Sequence, residues 1–232
     1  MRAILLAVVV LAFPSARLLA EDGELDKAQE AYKTAIEKAE KTLLTAFDKN
    51  ADLIRQSSKK PEEKQRLIEL LKSEKSAFEQ HGWYPWSLTS RPALVEFIRT
   101  RLTAEKALAT AFDKVIDTHT KAKEDTQAAA MLKLKKDALA PKLIARWELT
   151  GVTWKGSWVG NLYSNGRYSD PDGKAVWSYD KGVILLSQPE QGLPNNTKVL
   201  KWTLKESGTE LDEVGNNNSK SVGKLVNLAE KK

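Results

Sequence analysis

The chain has 232 residues, no cysteine, two histidines and a formal net charge of +6. Without a thiol there is no cysteine nucleophile, no iron–sulfur cluster and no zinc finger, and two histidines leave a zinc site dependent on carboxylates. The charges are interspersed rather than gathered into one basic stripe, so the electrostatic footprint of nucleic-acid binding is missing.

Residues 1–20 have the order of a cleavable export signal. Arg2 supplies a basic start, Ala3 to Phe13 is uninterrupted apolar, Pro14 and Ser15 break that run, and Ala20 offers a small residue before Glu21 and Asp22. The run is about half of the ~20 apolar residues a spanning helix needs. No later stretch reaches that length. The expectation is an exported chain, periplasmic or extracellular, with no transmembrane segment once the signal is removed.

The remainder divides by composition into a helical domain, residues 21–146, and an antiparallel β domain, residues 147–232. Residues 24–146 carry a single glycine, Gly82, and are rich in Ala, Glu, Lys and Leu. Glycines and tryptophans then concentrate, a shift from helix formers to strand and turn residues. In the first helix, Leu25, Ala28, Tyr32, Ile36, Ala39, Leu43, Phe47 and Ile54 fall on steps of three and four that describe one apolar face of a nearly straight helix. Pro61 is placed to open a second helix, with Glu62 and Glu63 where the helix dipole favours acids, and Gly82 is placed to end it. Third and fourth helices start near Pro92 and Thr126.

An internal repeat organises these four helices. Glu40 to Lys49 reads E-K-T-L-L-T-A-F-D-K, and Glu105 to Lys114 reads E-K-A-L-A-T-A-F-D-K, at an offset of 65. This pattern predicts a duplicated α-helical hairpin, bundle-like or coiled-coil-like.

The β part reads as a chain of hairpins. Val152 to Tyr163 is strand-like and is followed by the turn Ser164-Asn165-Gly166. Asp170-Pro171-Asp172-Gly173 is a second turn. Ala175 to Tyr179 and Val183 to Ser187 are strands, and Pro189 to Asn196 reads as a loop. Leu200, Trp202 and Leu204 alternate with polar residues, a half-buried strand. Glu210 to Val214 and Val222 to Leu228 complete six or seven strands. The fold class expected is α+β, with a small antiparallel barrel or curved sheet following the helices.

Two segments resemble exported, uncharacterised proteins of planctomycete-type bacteria. One is Ser73 to Gly82 with Pro85 after it, similar to an E-K-x-A-F-E-x-x-G-x-x-P pattern. The other is the C-terminal unit containing Trp154, Asp172-Gly173, Trp177, Leu204 to Leu211 and Gly215-Asn216. The resemblance implies envelope export and a modular plan, and it assigns no chemistry to any residue.

Few side chains are candidates for function. His119 falls on the apolar face and reads as a core histidine, and His81 beside Gly82 reads as a charge at a helix end. Asp170, Asp172 and Gly173 fit a tight turn better than a calcium loop, because Tyr168 and Tyr179 would occupy the first and last ligand positions. Asn195-Asn196-Thr197 and Asn217-Asn218-Ser219 match the glycosylation sequon, which acts only in a eukaryotic secretory pathway. The surplus is aromatic. Trp154 and Trp158 share one strand face, Trp177 and Tyr179 another, and either pair serves as barrel core or as a platform that stacks on sugar rings. Trp83 and Trp86, in the link between the second and third helices, either staple the helices together or present a patch to a partner.

The candidate ligand-binding residues are therefore Trp158, Trp177, Tyr179, Trp83 and Trp86, with no catalytic residue, metal or cofactor expected. The leading expectation is an exported, non-enzymatic binding or scaffold protein of the bacterial envelope whose partner is a protein or a polysaccharide. A carbohydrate-binding envelope protein and a hydrolase of unknown type are the alternatives.

Overall fold

A computed structural model describes residues 18–87, 89–153, 155–169, 171, 174–180, 182–190, 193–215 and 219–226. Most of the segment expected to be an export signal, Trp154, the turn residues Asp170, Asp172 and Gly173, and residues 216–218 lie outside the described residues. Four helices precede seven strands: α1 Leu18–Gln56, α2 Pro61–His81, α3 Arg91–Lys121 and α4 Asp125–Ala138, then β1 Leu143–Gly151, β2 Ser157–Tyr163, β3 Val176–Asp180, β4 Val183–Glu190, β5 Leu193–Leu204, β6 Glu210–Val214 and β7 Lys220–Leu225.

Helix ends follow the local chemistry. Pro61 occupies the first turn of α2 with Glu62 and Glu63 beside it. Gly82 ends that helix in the left-handed conformation, φ 72°. Its N–H reaches the Phe78 carbonyl at 2.8 Å and the N–H of Trp83 reaches that of Ala77 at 3.5 Å, so two orphan carbonyls are satisfied. Helix α3 starts without a cap from its own Ser90. The Glu74 carboxylate of α2 takes its place, accepting from Ser87 N at 2.7 Å, Ser87 Oγ at 2.6 Å and Ser90 Oγ at 2.8 Å.

Helices α1 and α3 pack antiparallel. Asn50 donates to the Thr89 carbonyl at one end, and Leu25 joins Leu108, Phe112 and Val115 in a small core at the other. The apolar face read from the sequence is the buried one, with Leu25, Ala39, Leu43, Phe47 and Ile54 all inside.

The strands form one antiparallel, curled sheet, a half-barrel in the order β2-β1-β7-β6-β5-β4-β3. Two expectations are revised. Leu143–Gly151 is a full strand paired on both sides, and the residues expected as one strand from Val152 begin pairing only at Ser157. The segment expected as a loop from Pro189 is mostly strand, since β4 runs to Glu190 and β5 resumes at Leu193. Between β2 and β3 the chain pairs with both. Tyr163 N donates to Arg167 O, Ser169 N to Asn161 O, Tyr168 N to Ala175 O and Trp177 N to Gly166 O. Leu162 and Tyr168 form a bridge, as do Arg167 and Val176.

Inward positions alternate along the strands, apart from the register slip in β1 where Ile144 and Ala145 are both buried. Trp147 and Leu149, Ile184 and Leu186, Trp202 and Leu204, and Leu211 face the interior of the curl. Gly160 is required where it stands, because a Cβ there would lie 2.3 Å from the Trp202 ring. Trp202 donates through Nε1 to the buried Glu213 carboxylate at 2.6 Å.

A single large core runs from α1, α2 and α3 into this sheet. The link 82–90 is its keystone. Trp86 is 1% exposed and its ring meets Tyr84 at 6.1 Å, Trp177 at 6.4 Å and Tyr179 at 5.4 Å. The β5–β6 turn closes so tightly on the link that a Cβ at Gly208 (φ 71°) would fall 2.2 Å from the Trp86 carbonyl carbon. Arg91 is buried at the same junction. It donates from Nε to the Trp86 carbonyl at 3.2 Å and from Nη2 to the carbonyls of Leu204, at 3.0 Å, and Lys205.

Candidate functional site

The five aromatic candidates separate by burial. Trp86 and Trp177 are enclosed, at 1% and 5% exposure, and offer no open ring face. Tyr179 is half-buried and packs edge-on against Trp86 at 5.4 Å. Trp158 is half-buried against the sheet interior, beside Tyr168. Trp177 also donates through Nε1 to the Tyr163 carbonyl at 2.9 Å, which fixes its ring across the gap between β2 and β3. Trp83 is partly buried like Trp158 and Tyr179, and its ring lies 5.1 Å from that of the exposed His81, tilted by 39°.

Trp83 lines a cleft of about 370 Å³ where α2 meets the sheet. Its walls come from four separate stretches of chain. The last three turns of α2 contribute Leu70, Ser73, Glu74, Ser76, Ala77, Gln80 and His81, and the link adds Trp83, Tyr84 and Trp86. The start of β1 contributes Ile144, Ala145 and Arg146, and the far wall is Gly208 and Thr209 of the β5–β6 turn with Leu225 and Val226 at the end of β7. The volume falls within the ~300–1,000 Å³ range of small-molecule sites, and the mix of an apolar floor with a few polar groups is their usual make-up.

Three lining residues carry charge or can do so. Burial raises the Glu74 carboxyl above its ordinary range, and the hydrogen bonds from Ser87 and Ser90 oppose that in part. Both of its oxygens are committed to the start of α3. Arg146 is partly buried, and its Nε finds no hydrogen-bond acceptor among the described residues. Asn161, its partner in the register of β1 and β2, likewise has Oδ1 buried without a donor among them. The exposed His81 completes the set.

Beneath the link lies a second polar group that does not open into the cleft. Arg101 Nε donates to Glu105 Oε1 at 2.8 Å, both side chains being largely buried. Burial pushes the Tyr84 hydroxyl up to about 12, with the Arg101 guanidinium opposing, and raises Glu40 and Glu105 against the same cation. This network braces α1, α3 and the link together. His119 is buried at 4% exposure and its Nδ1 lies 2.7 Å from Glu124, while Asp117 pairs with Lys121 instead. A further depression of about 370 Å³ near the start of α1, lined by Glu24, Leu25, Lys27, Ala107, Thr110, Ala111, Lys114 and Val115, holds no aromatic ring.

Sequence reasoning missed Arg146, Gln80, Thr209 and the role of Glu74. Glu74, Gln80 and His81 lie within the Ser73 to Gly82 segment singled out in the sequence, so part of the cleft wall was in view there. Arg146 and Thr209 had no such signal, because only the fold brings their strands beside α2. No helix among the described residues is long and apolar enough to cross a membrane. Comparison with protein-family models, with curated proteins and with solved structures finds no match, so function is read from the cleft itself.

Proposed function

We propose that this chain is an exported, non-enzymatic binding protein of the bacterial envelope, built as a helical scaffold joined to a small β cap, with the cleft between them as its ligand site. The N-terminal pattern of Arg2, Ala3 to Phe13 and Ala20 supports export. The helical scaffold is a duplicated hairpin. Leu43 and Leu108, and Phe47 and Phe112, are equivalent and all buried. Thr45 and Thr110 both bond the carbonyl four residues back. Asp48 and Asp113 each accept a lysine from the next helix, Lys75 at 2.7 Å and Lys135 at 2.5 Å.

The observation that carries the binding reading is the partly exposed Trp83 ring in the lining of a cleft whose walls come from both parts of the molecule. A flat ring beside hydroxyl and amide groups is suited to the C–H face and hydroxyls of a sugar, which favours a polysaccharide as the ligand. The β-domain rings expected to form a platform are mostly packed inside, so the binding role moves to the link.

The test is retention on gels of immobilised polysaccharides, neutral and acidic. Trp83→Ala, which removes the ring, and Ala77→Trp, which fills the cleft, are both expected to lose retention while keeping the melting temperature of a folded protein. Retention unchanged in both variants overturns the reading.

A further inference from the structure

We infer that residues 227–232 occupy the cleft, laid along the open edge of β1 as a continuation of β7, so that the chain carries its own occupant for the site and a ligand enters by displacing it. The occupant belongs to the chain, so the inference goes beyond the polysaccharide reading and does not depend on it.

Strand β1 begins at Leu143, yet its register with β7 covers only Trp147 to Gly151. On the β2 side the register passes from Leu143 to Ala145, so Ile144 has a partner in neither pairing. Ile144, Ala145 and Arg146 all line the cleft. An unpaired strand edge is a template for a further strand, and a groove beside one takes an extended segment through its main chain.

The last described residues deliver such a segment to this edge. Leu225 N donates to Thr209 O at 2.9 Å and Val226 N to Arg146 O at 2.8 Å, and both residues line the cleft. The chain therefore leaves Val226 still bonded to β1 and already in the cleft wall. Residues 227–232, Asn-Leu-Ala-Glu-Lys-Lys, lie outside the described residues. The apolar pattern of the sequence carries a strand to Leu228, three residues past the end of β7. Continued from Leu225 opposite Trp147, the register sets Leu228 opposite Ile144. Hydrogen-bonded pairs recur at every second residue of an antiparallel pair, so the bond between Val226 and Arg146 is repeated there. Leu228 then shares a face with Val226 and Ile144, and Leu70 and Ala77 of α2 complete an apolar lining for it. Three extended residues reach about 10 Å, the scale of a cleft of about 370 Å³.

The experiment compares the full chain with Leu228→Asp and with a chain ending at Val226, by hydrogen exchange at single amides. The Ile144 amide is expected to exchange at least about tenfold faster in both variants, while Trp147 and Leu149 keep their protection. The synthetic peptide Asn-Leu-Ala-Glu-Lys-Lys should bind the shortened chain, read by tryptophan fluorescence, and should fail to bind it when Ala77→Trp fills the cleft. An Ile144 amide that exchanges alike in all three proteins overturns the inference. So does protection that grows with protein concentration, since the segment would then be seated in a second copy. These readouts need no added ligand, so the polysaccharide reading stands or falls separately. Where a polysaccharide gel retains the protein, Leu228→Asp should be retained more strongly, and weaker retention overturns displacement.

Discussion

Helices α2 and α4 begin at nearly equivalent places in the proposed repeat, yet they end in different surroundings. Helix α2 runs 21 residues, buries Leu71 and Phe78 and holds one wall of the cleft. Helix α4 runs 14 residues, has no fully buried residue and leaves Leu132 and Leu134 exposed at 58% and 46%. The difference arises from the segment attached to each C-terminus. After α2 comes Trp83-Tyr84-Pro85-Trp86, which carries aromatic mass into the core shared with the sheet. After α4 the chain goes directly into β1. A repeat can thus keep its first helices alike, because those pack on each other, and release its second helices to different fates. Local stability should differ accordingly, with the α2 side opening only with the whole protein and α4 opening separately.

The sharpest way to break this comparison is at the keystone. Trp86→Ala should cost about 3–5 kcal/mol, the usual loss for a buried aromatic. Because Trp86 contacts rings of both the link and the sheet, the far-ultraviolet and near-ultraviolet melts should shift together. A melt that loses only the sheet signal would show that α2 does not depend on the junction.

Arg91 comes next. Arg91→Ala strands the carbonyls of Trp86, Leu204 and Lys205 in a buried place and should cost about 2–3 kcal/mol by chemical denaturation. An effect near zero would mean that the docking of the β turn onto the link is held by shape alone.

Glu74 sharpens the comparison through pH. Burial raises its folded pKa above the ordinary 4.5, so the fold favours the protonated carboxyl. The stability due to that proton is fully present below the unfolded value and is lost as pH rises through the folded one. Glu74→Gln should therefore flatten the fall in stability between the ordinary carboxylate range and neutrality. Glu40 and Glu105, also raised by burial, retain their own share of the slope. Urea titrations at several pH values measure it, and a slope identical in wild type and variant would remove Glu74 from the account.

The smallest effect is expected on α4. Leu132→Ala should change stability by less than about 0.5 kcal/mol, because the side chain is already in water. Hydrogen exchange should find α4 amides the least protected of the four helices. A large loss at Leu132 would mean that α4 is covered by something in solution.

The helices were legible in the sequence because proline, glycine and a regular apolar step are local signals. Pro61 and Gly82 bound α2 as read, and His119 is inside as its place on the apolar face required. Strand β1 was not legible. Its Leu-Ile-Ala-Arg-Trp-Glu-Leu sequence continues the composition of the helices, and its register with β2 slips between Leu143 and Ala145, which blurs the alternation. The segment around Pro189 was misread for the opposite reason, since proline suggested a loop where the strand pair tolerates it. The link aromatics were undecided because an irregular segment has no period from which to read a face. Trp83 and Trp86 are three residues apart and both line the cleft, yet Trp86 is sealed in the core while Trp83 keeps part of its surface exposed. The cleft needed four distant segments, and no local pattern announces such a meeting.

The short segment 166–169 has a consequence for life among neighbours. A curled sheet left open offers the bare backbone of two outer strands to any other chain, which is how proteins in a crowded compartment come to adhere to one another. Here Arg167 and Tyr168 bond to residues 161–163 on one side and 175–177 on the other, so one end of each outer strand is already occupied. The stretch still open on β2 and β3 is only a few residues long, which leaves little backbone for a foreign strand to pair with.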